Sequence, residues 1–530
     1  MTQELQSHSY DELPYPSLSY AQTHPDRLAS MARLLGLDHA PVDRCRVLDV
    51  GCAVGGNIIP MAYALPNSEF VGIDYSGRQI EIGLGYVSEL GLNNVRLEHA
   101  DVMAVPEVMG QFDYIIAHGF YSWVPAAVRD RLLAVIRRHL APKGIAYVSY
   151  NTYPGWHMLQ VVRDAMLYSA RNLSQPAERA AAGRAIVEFL SDAVPAEAGP
   201  FGGFLNGYRT ALAEKLAEGE DGGDSLLLHD EMGEINQPVY FEQFVDHTAE
   251  HGLQYLSEVD LASVMPSKLE PDIAGRLAEL AGNSMVAEQY LDFVKFRTFR
   301  QTLLCHEEVK INRTLRPTTV GRFRLASSAR PVSDEPELGP GAVEKFRGSD
   351  GAVFSTDHPL TKAAFLTLID NRPAAVPFGE LLREAAGRVE LALDEAAEGE
   401  VATLAGNALR ALSYSPSLIE FHVYQTPFSL KVSDRPRTTP VVRWQARQGM
   451  KATNLRHERV ELDAISAILL PMLDGKHDRD VLLASLVTLQ KRGRLQLPEK
   501  LLEAAGAEEI LGKQLDQALR FMARAALLEA

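Results

Sequence analysis

Cysteine is scarce in this chain of 530 residues, and its scarcity excludes two kinds of framework. Cys45, Cys52 and Cys305 are an odd, widely spaced set that provides neither a disulfide scaffold nor the paired spacing of a cysteine-based metal site. Such a set is typical of a reducing compartment, so we expect a cytoplasmic location. The acids near His229, at residues 230–234, are better explained as the clustered acid of a helix start, and His247 with His251 as a solvated helix face, so we predict no metal.

Positive charge and long apolar runs are also in short supply. Lysine and arginine total 52 against 69 aspartates and glutamates, which gives a net charge of −17. Nucleic-acid phosphates require a basic face, so we expect no nucleic-acid partner. No uninterrupted apolar run approaches the ~18 residues of a membrane span, and the first ten residues lack the basic and apolar segments of a signal peptide. We therefore expect no membrane insertion.

Glycine is concentrated in the stretch VLDVGCAVGGN, at residues 47–57. The stretch predicts a buried strand that ends in a glycine-rich turn and enters a helix. In that geometry, backbone without a Cβ approaches a nucleotide-like ligand closely. The spacing from Asp49 to Gly55 is Asp-x-Gly-x-x-x-Gly, which differs from the Gly-x-Gly-x-x-Gly of dinucleotide enzymes. It also lacks the Lys-Ser/Thr pair of a triphosphate-binding P-loop.

Further apolar segments follow at the intervals of an alternating α/β domain with a parallel sheet. Residues 70–74 end in Asp74, where a Rossmann-type site holds both ribose hydroxyls with a carboxylate. Residues 95–102, 112–119 and 145–150 supply three more segments. The combination predicts a Rossmann-like domain that binds a nucleotide-like ligand. At this point the residues leave open which nucleotide that ligand is.

These motifs resemble those of class I S-adenosylmethionine (SAM) methyltransferases, with Ala53 where many members have glycine. The resemblance implies SAM as cofactor. It assigns Asp74 to the ribose and Asp101, after the third strand, to the adenine amino group. The cofactor-binding set that it implies is Asp49, Gly51, Cys52, Ala53, Gly55, Asn57, Asp74, Tyr75, Asp101, Val102 and His118.

Three other stretches indicate a narrower family. They are YDELPY with THPDRL near the N-terminus, HGFYSWVP at residues 118–125 with SYNTYPGW at 149–156, and QYLDF at 289–293 with Arg297, Phe299 and Arg300. They resemble bacterial methyltransferases that carry a methyltransferase regulatory domain. That family includes rickettsial-type lysine methyltransferases that act on outer-membrane proteins. The resemblance implies methyl transfer from SAM to protein lysine side chains.

We predict five segments along the chain. Their boundaries are 1–40 for an N-terminal arm or lid, 41–157 for the SAM-binding domain, 158–330 for a mostly helical middle domain, 331–350 for a linker, and 351–530 for an α+β, winged-helix-like domain. Within them we predict a helix near residues 19–37 with Thr23 as its N-cap, and a long helix over residues 286–306. Tyr10, Tyr15 and His24 are candidates for a lid over the cofactor, with simple packing of an N-terminal arm as the alternative.

Aromatic and amide side chains follow the fourth and fifth strands, at the sheet edge where α/β proteins bind ligands. A lysine nucleophile must lose its proton, and an apolar or aromatic pocket lowers its pKa. Aromatic faces also attract a sulfonium or a methylated ammonium. His118 fits either a general base or a hydrogen-bonding group. The catalytic candidates are His118, Tyr121, Trp123, Tyr150, Asn151 and Tyr153.

We therefore expect a SAM-dependent protein-lysine N-methyltransferase that acts on bacterial (outer-membrane) proteins. Roughly 370 residues lie beyond the SAM domain, far more than a small substrate needs. The first alternative is a small-molecule methyltransferase whose additional domains regulate it or form a homodimer. The second is a SAM-sensing regulator that binds DNA through its winged-helix-like domain, and the acidic composition counts against it.

Overall fold

The computed structural model of the chain describes residues 13–16, 18–217, 223–265, 269–394, 397–495 and 506–530. The chain folds into two compact units. The first unit contains the described residues up to Leu18, Met31–Ala62 and Asn67–Asn312. The second contains Ser19–Ser30, Tyr63–Pro66 and the described residues from Arg313 onwards.

A seven-stranded sheet forms the centre of the first unit. Its strands are β1 (Arg46–Val50), β2 (Glu69–Asp74), β3 (Val95–His99), β4 (Phe112–Ala117), β5 (Leu140–Asn151), β6 (Leu253–Glu258) and β7 (Phe299–His306). They lie in the order β3-β2-β1-β4-β5-β7-β6. The first five strands pair in parallel, whereas β7 runs antiparallel to both β5 and β6. This topology confirms the predicted Rossmann-like sheet.

The strand order reverses at β1, which pairs with β2 on one side and with β4 on the other. Val47 and Leu48 are fully buried, because both faces of a parallel sheet are covered. Open α/β sheets bind ligands in the crevice outside the carboxyl ends of their strands at such a reversal. The glycine-rich turn begins at Gly51, directly after β1, and so lies at this crevice.

Helices connect these strands and extend the first unit beyond the sheet. Residues 19–30, which include the turn at 21–23 and most of the first helix, and residues 63–66 at the end of the second helix belong to the second unit instead. In chain order the helices are α1 (Pro25–Leu34), α2 (Ile58–Ala64), α3 (Gly77–Leu90), α4 (Ala126–His139), α5 (Gly155–Ala170), α6 (Pro176–Ala193), α7 (Pro200–Leu216), α8 (Asp224–Leu226), α9 (Phe241–Glu250), α10 (Leu261–Val264), α11 (Pro271–Ala281) and α12 (Ser284–Lys295). A π-helical turn, Leu227–Glu231, continues α8. Short 3-10 turns lie at Ala21–Thr23, Val102–Ala104, Glu107–Met109, Tyr121–Trp123 and Ala196–Ala198. The predicted mostly helical middle region is confirmed.

The long helix predicted for residues 286–306 is wrong in its second half. Helix α12 ends at Lys295, the next residue, Phe296, has a φ of +48°, and β7 begins at Phe299. Tertiary pairing decides the structure here, because β7 lies between β5 and β6 in the sheet. Arg300, which is 1% exposed, fixes β7 in place by ion pairs to Glu258 of β6 at 2.8 Å and Asp292 of α12 at 2.9 Å.

The second unit combines helices with small sheets. Its strands are β8 (Arg324–Ala326), β9 (Arg330–Pro331), β10 (Glu344–Arg347), β11 (Val353–Thr356), β12 (Val376–Pro377), β13 (Glu420–His422), β14 (Lys451–Thr453) and β15 (Arg459–Glu461). Its helices are α13 (Pro359–Asp370), α14 (Phe378–Arg388), α15 (Glu398–Tyr414), α16 (Pro440–Gln448), α17 (Ala464–Leu469), α18 (Arg479–Lys491) and α19 (Ala507–Arg524), with 3-10 turns at Pro317–Arg322 and Leu470–Met472. The sheets have the orders β11-β10-β9, β12-β8-β13 and β14-β15. The predicted α+β character of this region is confirmed.

Two local expectations differ from the structure in the second unit. Residues 331–350, predicted as an irregular linker, contain β10, which pairs with β9 and β11 in an antiparallel sheet. Helix α1 begins at Pro25, so the residue directly before it is His24 and not Thr23, whose hydroxyl donates to the Tyr20 carbonyl at 2.8 Å. His24 takes that place, and its Nδ1 accepts from the Asp26 N–H at 3.2 Å. Among the helices of the described ranges, none is long and apolar enough to cross a membrane.

Candidate functional site

The glycine-rich turn has the backbone conformation that its sequence predicts. Gly51, Ala53 and Gly55 have φ values of +77°, +50° and +80°, a region that favours glycine. A Cβ at Gly51 would lie 2.8 Å from the Phe120 ring, so only glycine fits there. The Gly51 and Cys52 N–H groups donate to the Ile73 carbonyl, which fastens the turn to the end of β2.

Asp74 lies at the end of β2, beside this turn. Its carboxylate accepts the Ala53 N–H at 2.8 Å through one oxygen and the Ser76 N–H at 2.8 Å through the other. The structure therefore brings the predicted ribose carboxylate and the predicted glycine turn together. Ser76 also caps α3 by accepting the Gln79 N–H, so the carboxylate sits at the start of that helix.

Asp49 is buried beneath the turn. Burial raises the pKa of Asp49 to about 7, the Asn57 hydrogen bond opposes that rise, and the nearby Asp74 charge adds to it. Asp49 and Asp74 are neighbouring carboxylates, and Asp49 is removed from water. A bound cation is favoured next to them because it offsets their negative charge. SAM carries positive charge on its sulfonium and its amino group, so the donor set fits this cofactor. Asn57, another predicted contact residue, is itself buried.

The predicted adenine end of the site follows β3. Asp101 caps the 3-10 turn Val102–Ala104 by accepting the Met103 N–H at 2.8 Å, and Val102 is buried. Tyr75 is partly exposed and packs edge-on against His99, with 6.4 Å between ring centroids. Burial, together with Asp74 and Asp49, raises the pKa of the Cys52 thiol well above its usual value. Cys52 is therefore a packed thiol, not a nucleophile.

His118 directly follows β4, and Tyr147 lies within β5, opposite Ile116 near the end of β4. The His118 Nδ1 and the Tyr147 hydroxyl are hydrogen-bonded at 2.9 Å. Phe299, the first residue of β7, packs edge-on against His118 with 6.2 Å between ring centroids and is 37% exposed. This half-open aromatic contact had no signal in the sequence, because it depends on β7 joining the sheet beside β5.

Tyr121 and Tyr150, two other candidates, lie in a buried layer between the sheet and α9. The Tyr150 ring stacks on Phe244 at 4.0 Å, and Tyr121 packs edge-on against the same ring at 5.1 Å. The Tyr121 hydroxyl and the His247 Nδ1 are hydrogen-bonded at 2.7 Å. Burial raises the pKa of Tyr121 to about 12. Both tyrosines support the site from within the core, and their part in catalysis stays a prediction.

Asn151 is held by a segment that the sequence analysis did not single out, residues 232–240, here called the cover loop. The Asn151 Nδ2 donates to the Asn236 Oδ1 at 2.8 Å. The loop backbone also pairs with this edge, because Gln237 N–H donates to the Ser122 carbonyl and Val239 N–H donates to the Asn151 carbonyl. The buried Asn236 Nδ2 has no hydrogen-bond partner within the described residues.

The remaining candidates, Trp123 and Tyr153, lie in aromatic contacts. Trp123 packs edge-on against Trp156, with 6.5 Å between centroids. Tyr153 stacks on His157 at 4.0 Å and lies 5.2 Å from Tyr240. Tyr240 in turn lies 5.9 Å from Phe293. The four residues Tyr153, His157, Tyr240 and Phe293 are here called the aromatic rim.

The N-terminal candidates separate in the structure. Tyr15 lies in the first unit, where its N–H donates to the Gln79 Oε1 at 3.2 Å and its hydroxyl donates to Asp230 at 3.3 Å. Because Gln79 is in the first turn of α3, Tyr15 lies next to the helix that begins after Asp74. His24 belongs to the second unit and packs against His457. Tyr10 lies outside the described residues.

Three family models match the chain. They are "Methyltransferase domain" at residues 47–144, "Predicted methyltransferase regulatory domain" at residues 223–306, and "PKMT, C-terminal winged helix domain" at residues 434–527. The first match contains the glycine turn and all three predicted aspartates of the cofactor site. The second contains the cover loop, β6 and β7, so the segment named regulatory supplies part of the catalytic sheet and of its edge.

Whole-chain similarities extend these matches. The chain is 33% identical to an uncharacterized protein of Rickettsia prowazekii over 509 residues, which cover 94% of this chain and 89% of that protein. A second uncharacterized protein of that organism is 37% identical over 238 residues, 45% of this chain and 92% of the relative. The structure of PKMT2 from Rickettsia typhi in complex with AdoHcy superposes with a TM-score of 0.84 at 27% identity, covering 97% of this chain and all of that one.

Proposed function

The chain belongs to the SAM-dependent methyltransferases that carry a methyltransferase regulatory domain and a PKMT-type winged-helix domain, and from this premise we propose that it methylates lysine side chains of a protein substrate. The observation that carries the proposal is the extent of the likeness to PKMT2, which covers 97% of this chain. The likeness does not stop at the SAM-binding fold. It includes the regulatory and winged-helix segments, which a small substrate does not require.

The geometry at the substrate side supports a lysine side chain. His118, which follows β4, and Phe299, the first residue of β7, form an aromatic wall at this end of the sheet, and the buried Tyr147 holds His118 from within. An apolar surrounding lowers the pKa of an incoming lysine and favours the neutral amine that attacks. We assign His118 to a hydrogen bond that orients this amine, because its Nδ1 is already fixed by Tyr147.

On the cofactor side, this chain's residues hold and orient the donor. The bound SAM supplies an electrophilic methyl group. Asp74, fixed by two backbone N–H groups, would accept the ribose hydroxyls, and the positive-φ turn would give close backbone approach. Asp49, buried beneath that turn, would offer negative charge to the cofactor when it is ionised. Holding nucleophile and methyl in near-attack geometry is worth roughly 7–11 kcal/mol, so strong acid–base groups are not required.

The aromatic rim suggests how a polypeptide is held. Phe293 is 49% exposed although it contacts Tyr240, and Phe296 and Tyr290 of the same segment are also exposed. Exposed aromatic side chains near a catalytic edge are typical of surfaces that bind protein. We propose that the rim binds the chain that flanks the target lysine.

The test is transfer of labelled methyl from SAM into a lysate of the source cells, including its membrane fraction. Products are separated into protein and small-molecule pools, and acid hydrolysates of the protein pool are examined for N-methyl-lysine. The Asp74→Asn variant is the matched control, because it removes the ribose carboxylate with little change in shape. Label on lysine that depends on Asp74 supports the proposal. Label confined to the small-molecule pool refutes it and favours the small-molecule alternative.

A cytoplasmic location and a homodimer stay predictions. All three cysteines are free and buried, which agrees with a reducing compartment. Cell fractionation tests the location, and light scattering of the purified chain tests the assembly.

A further inference from the structure

The structure assigns a binding site for one divalent transition-metal ion of the zinc type to Asp130, His247 and His251. Asp130 lies on α4, between β4 and β5, and both histidines lie at the C-terminal end of α9, inside the match to the regulatory domain. One ligand atom from each residue lies within 4.8 Å of the other two. No cofactor contact of the methyl-transfer site belongs to this cluster.

The distances between the three ligand atoms would have to change only slightly for a metal ion to bind. The Asp130 Oδ1 lies 2.9 Å from the His251 Nε2 and 3.7 Å from the His247 Nε2. Ligand atoms around a tetrahedral zinc are about 3.3 Å apart when the metal–ligand distances are about 2.0 Å. The histidines are separated by four residues and so project from the same helix face. Two imidazoles and one carboxylate leave a fourth position open for water, a donor set that suits zinc.

A hydrogen bond from outside the cluster orients one of the three ligands. The His247 Nδ1 is hydrogen-bonded to the buried Tyr121 hydroxyl at 2.7 Å, so its Nε2 is the nitrogen that faces Asp130. Metal-ligating histidines are held by their other ring nitrogen in this way.

The surrounding charge and exposure permit a cation to enter. Asp130 is 62% exposed at its side chain, so the site opens to solvent. The Glu250 carboxylate acts electrostatically on His247 and adds negative charge. Arg129 opposes it, but its guanidinium is directed over the Tyr121 ring, at 5.3 Å from the centroid, and donates to Gln237 of the cover loop.

The site connects two parts of the first unit. A bound ion would crosslink α4 of the SAM-binding fold to α9 of the regulatory segment. Through His247 the ion would also fix the Tyr121 hydroxyl. Tyr121 begins the 3-10 turn Tyr121–Trp123, which closely follows β4. Metal occupancy is therefore expected to stiffen the buried layer beneath the substrate side of the sheet.

The test measures metal binding by the full-length chain, with any affinity tag removed and with metals stripped by chelator and dialysis. Co²⁺ is the spectroscopic probe and Zn²⁺ is the competitor, followed by absorption and by calorimetry. We expect one Co²⁺ per chain with tetrahedral absorption, displaced by one Zn²⁺. His251→Ala and Asp130→Asn are each expected to weaken metal binding by about tenfold or more. The loss of a group that only hydrogen-bonds to a metal ligand already weakens binding by that much. Neither change removes the His247–Tyr121 hydrogen bond.

His477→Ala is the matched control. His477 pairs with Asp474 at 2.9 Å but has no second histidine in the described cluster, so its loss should leave binding unchanged. Tyr121→Phe should retain the metal with lowered affinity. The inference is overturned if the wild-type chain binds no stoichiometric Co²⁺, or if His251→Ala and Asp130→Asn bind it as tightly as the wild type does. Thermal unfolding of each variant confirms that a loss of binding reflects the site and not the fold.

Discussion

Gly51 combines two demands, a positive φ and the absence of a Cβ next to the Phe120 ring. Gly51→Ala should cost about 1–2 kcal/mol of stability through the backbone alone. Moving Phe120 to relieve the clash should also displace the turn. We expect SAM affinity to fall at least about tenfold, or roughly 1.4 kcal/mol, by calorimetry. Gly91→Ala is the control, because Gly91 has φ +65° with no atom within 4 Å of an added Cβ, so it should lower stability alone.

Asp49 makes cofactor binding depend on pH. Its carboxyl has a pKa of about 7, raised mainly by burial, so it is largely protonated below that pH in the ligand-free protein. A cationic ligand favours the ionised form. SAM affinity should therefore rise as pH increases from about 5.5 to 7 and level off above. Calorimetry across this range checks it, and Asp49→Asn should give a flatter profile. If SAM affinity depends on pH in the same way in the wild type and in Asp49→Asn, the pH dependence does not come from Asp49.

The cover loop is the element that most directly joins the regulatory segment to the catalytic edge. Asn236 pairs with Asn151 through its Oδ1 and leaves its buried Nδ2 without a partner in the described structure, a donor that suits a substrate carbonyl. Asn236→Ala should lower kcat/KM for the protein substrate about fivefold, since a buried hydrogen bond is worth about 1 kcal/mol. SAM affinity should not change.

Gln237→Ala provides the comparison for Asn236. Gln237 is exposed in the same loop, and its side chain accepts from Arg129. Its truncation should leave kcat/KM within about twofold of wild type, because surface changes seldom exceed 0.5 kcal/mol. Equal effects of the two truncations would indicate that the loop acts only as a structural support. An unchanged Tm in both variants keeps the kinetic comparison valid.

At the scale of elements, the sequence predicts those features that depend on residues close together in the chain. The glycine turn, the acid after β2 and the five parallel strands are of this kind, and all of them could be predicted. Strand β7 could not be predicted, because residues 299–306, FRQTLLCH, lack the alternation of apolar and polar side chains that separates a strand from a helix. Its pairing with β5, about 150 residues earlier, decides its structure.

The site divides in the same way. The cofactor side could be predicted, since motif spacing places Asp49, Asp74 and Asp101 on one sheet edge. The substrate side could not, since Asn236, Phe299 and His247 reach it only through tertiary contacts. Periodicity indicates that Tyr150 is in a strand, but not which face it occupies. In the structure that face packs on Phe244.

At the scale of the whole molecule, the second unit buries histidines from both ends of the sequence. The His24 and His457 rings lie 5.6 Å apart. Burial lowers the pKa of His24 to about 4, with Asp26 opposing and Arg27 and His422 adding to the shift. The folded unit then binds fewer protons than the unfolded chain between about pH 6.5 and 4. Its stability should be full above pH 6.5 and fall by about 3 kcal/mol towards pH 4 from His24 alone.

Trp444 provides a way to measure this. The chain has three tryptophans, and replacing Trp123 and Trp156 by phenylalanine leaves Trp444 of the second unit as the fluorophore. Urea unfolding at pH 7 and pH 4.5 gives the pH dependence. His24→Asn should flatten it, because asparagine still accepts the Asp26 N–H at the start of α1 but does not titrate. An unchanged slope in that variant would place the titration elsewhere.

The place of β7 in the sheet has a consequence for biosynthesis. During translation, β5 leaves the ribosome long before its partner does, because residues 146–151 pair with residues 299–304. At 5–20 residues per second the intervening chain takes roughly 7–30 s to synthesise. Throughout that interval the nascent chain carries an unpaired, apolar strand edge, which invites association with other chains. The complete seven-stranded sheet can form only after the ribosome has passed His306, so maturation of the fold is tied to completion of the regulatory segment.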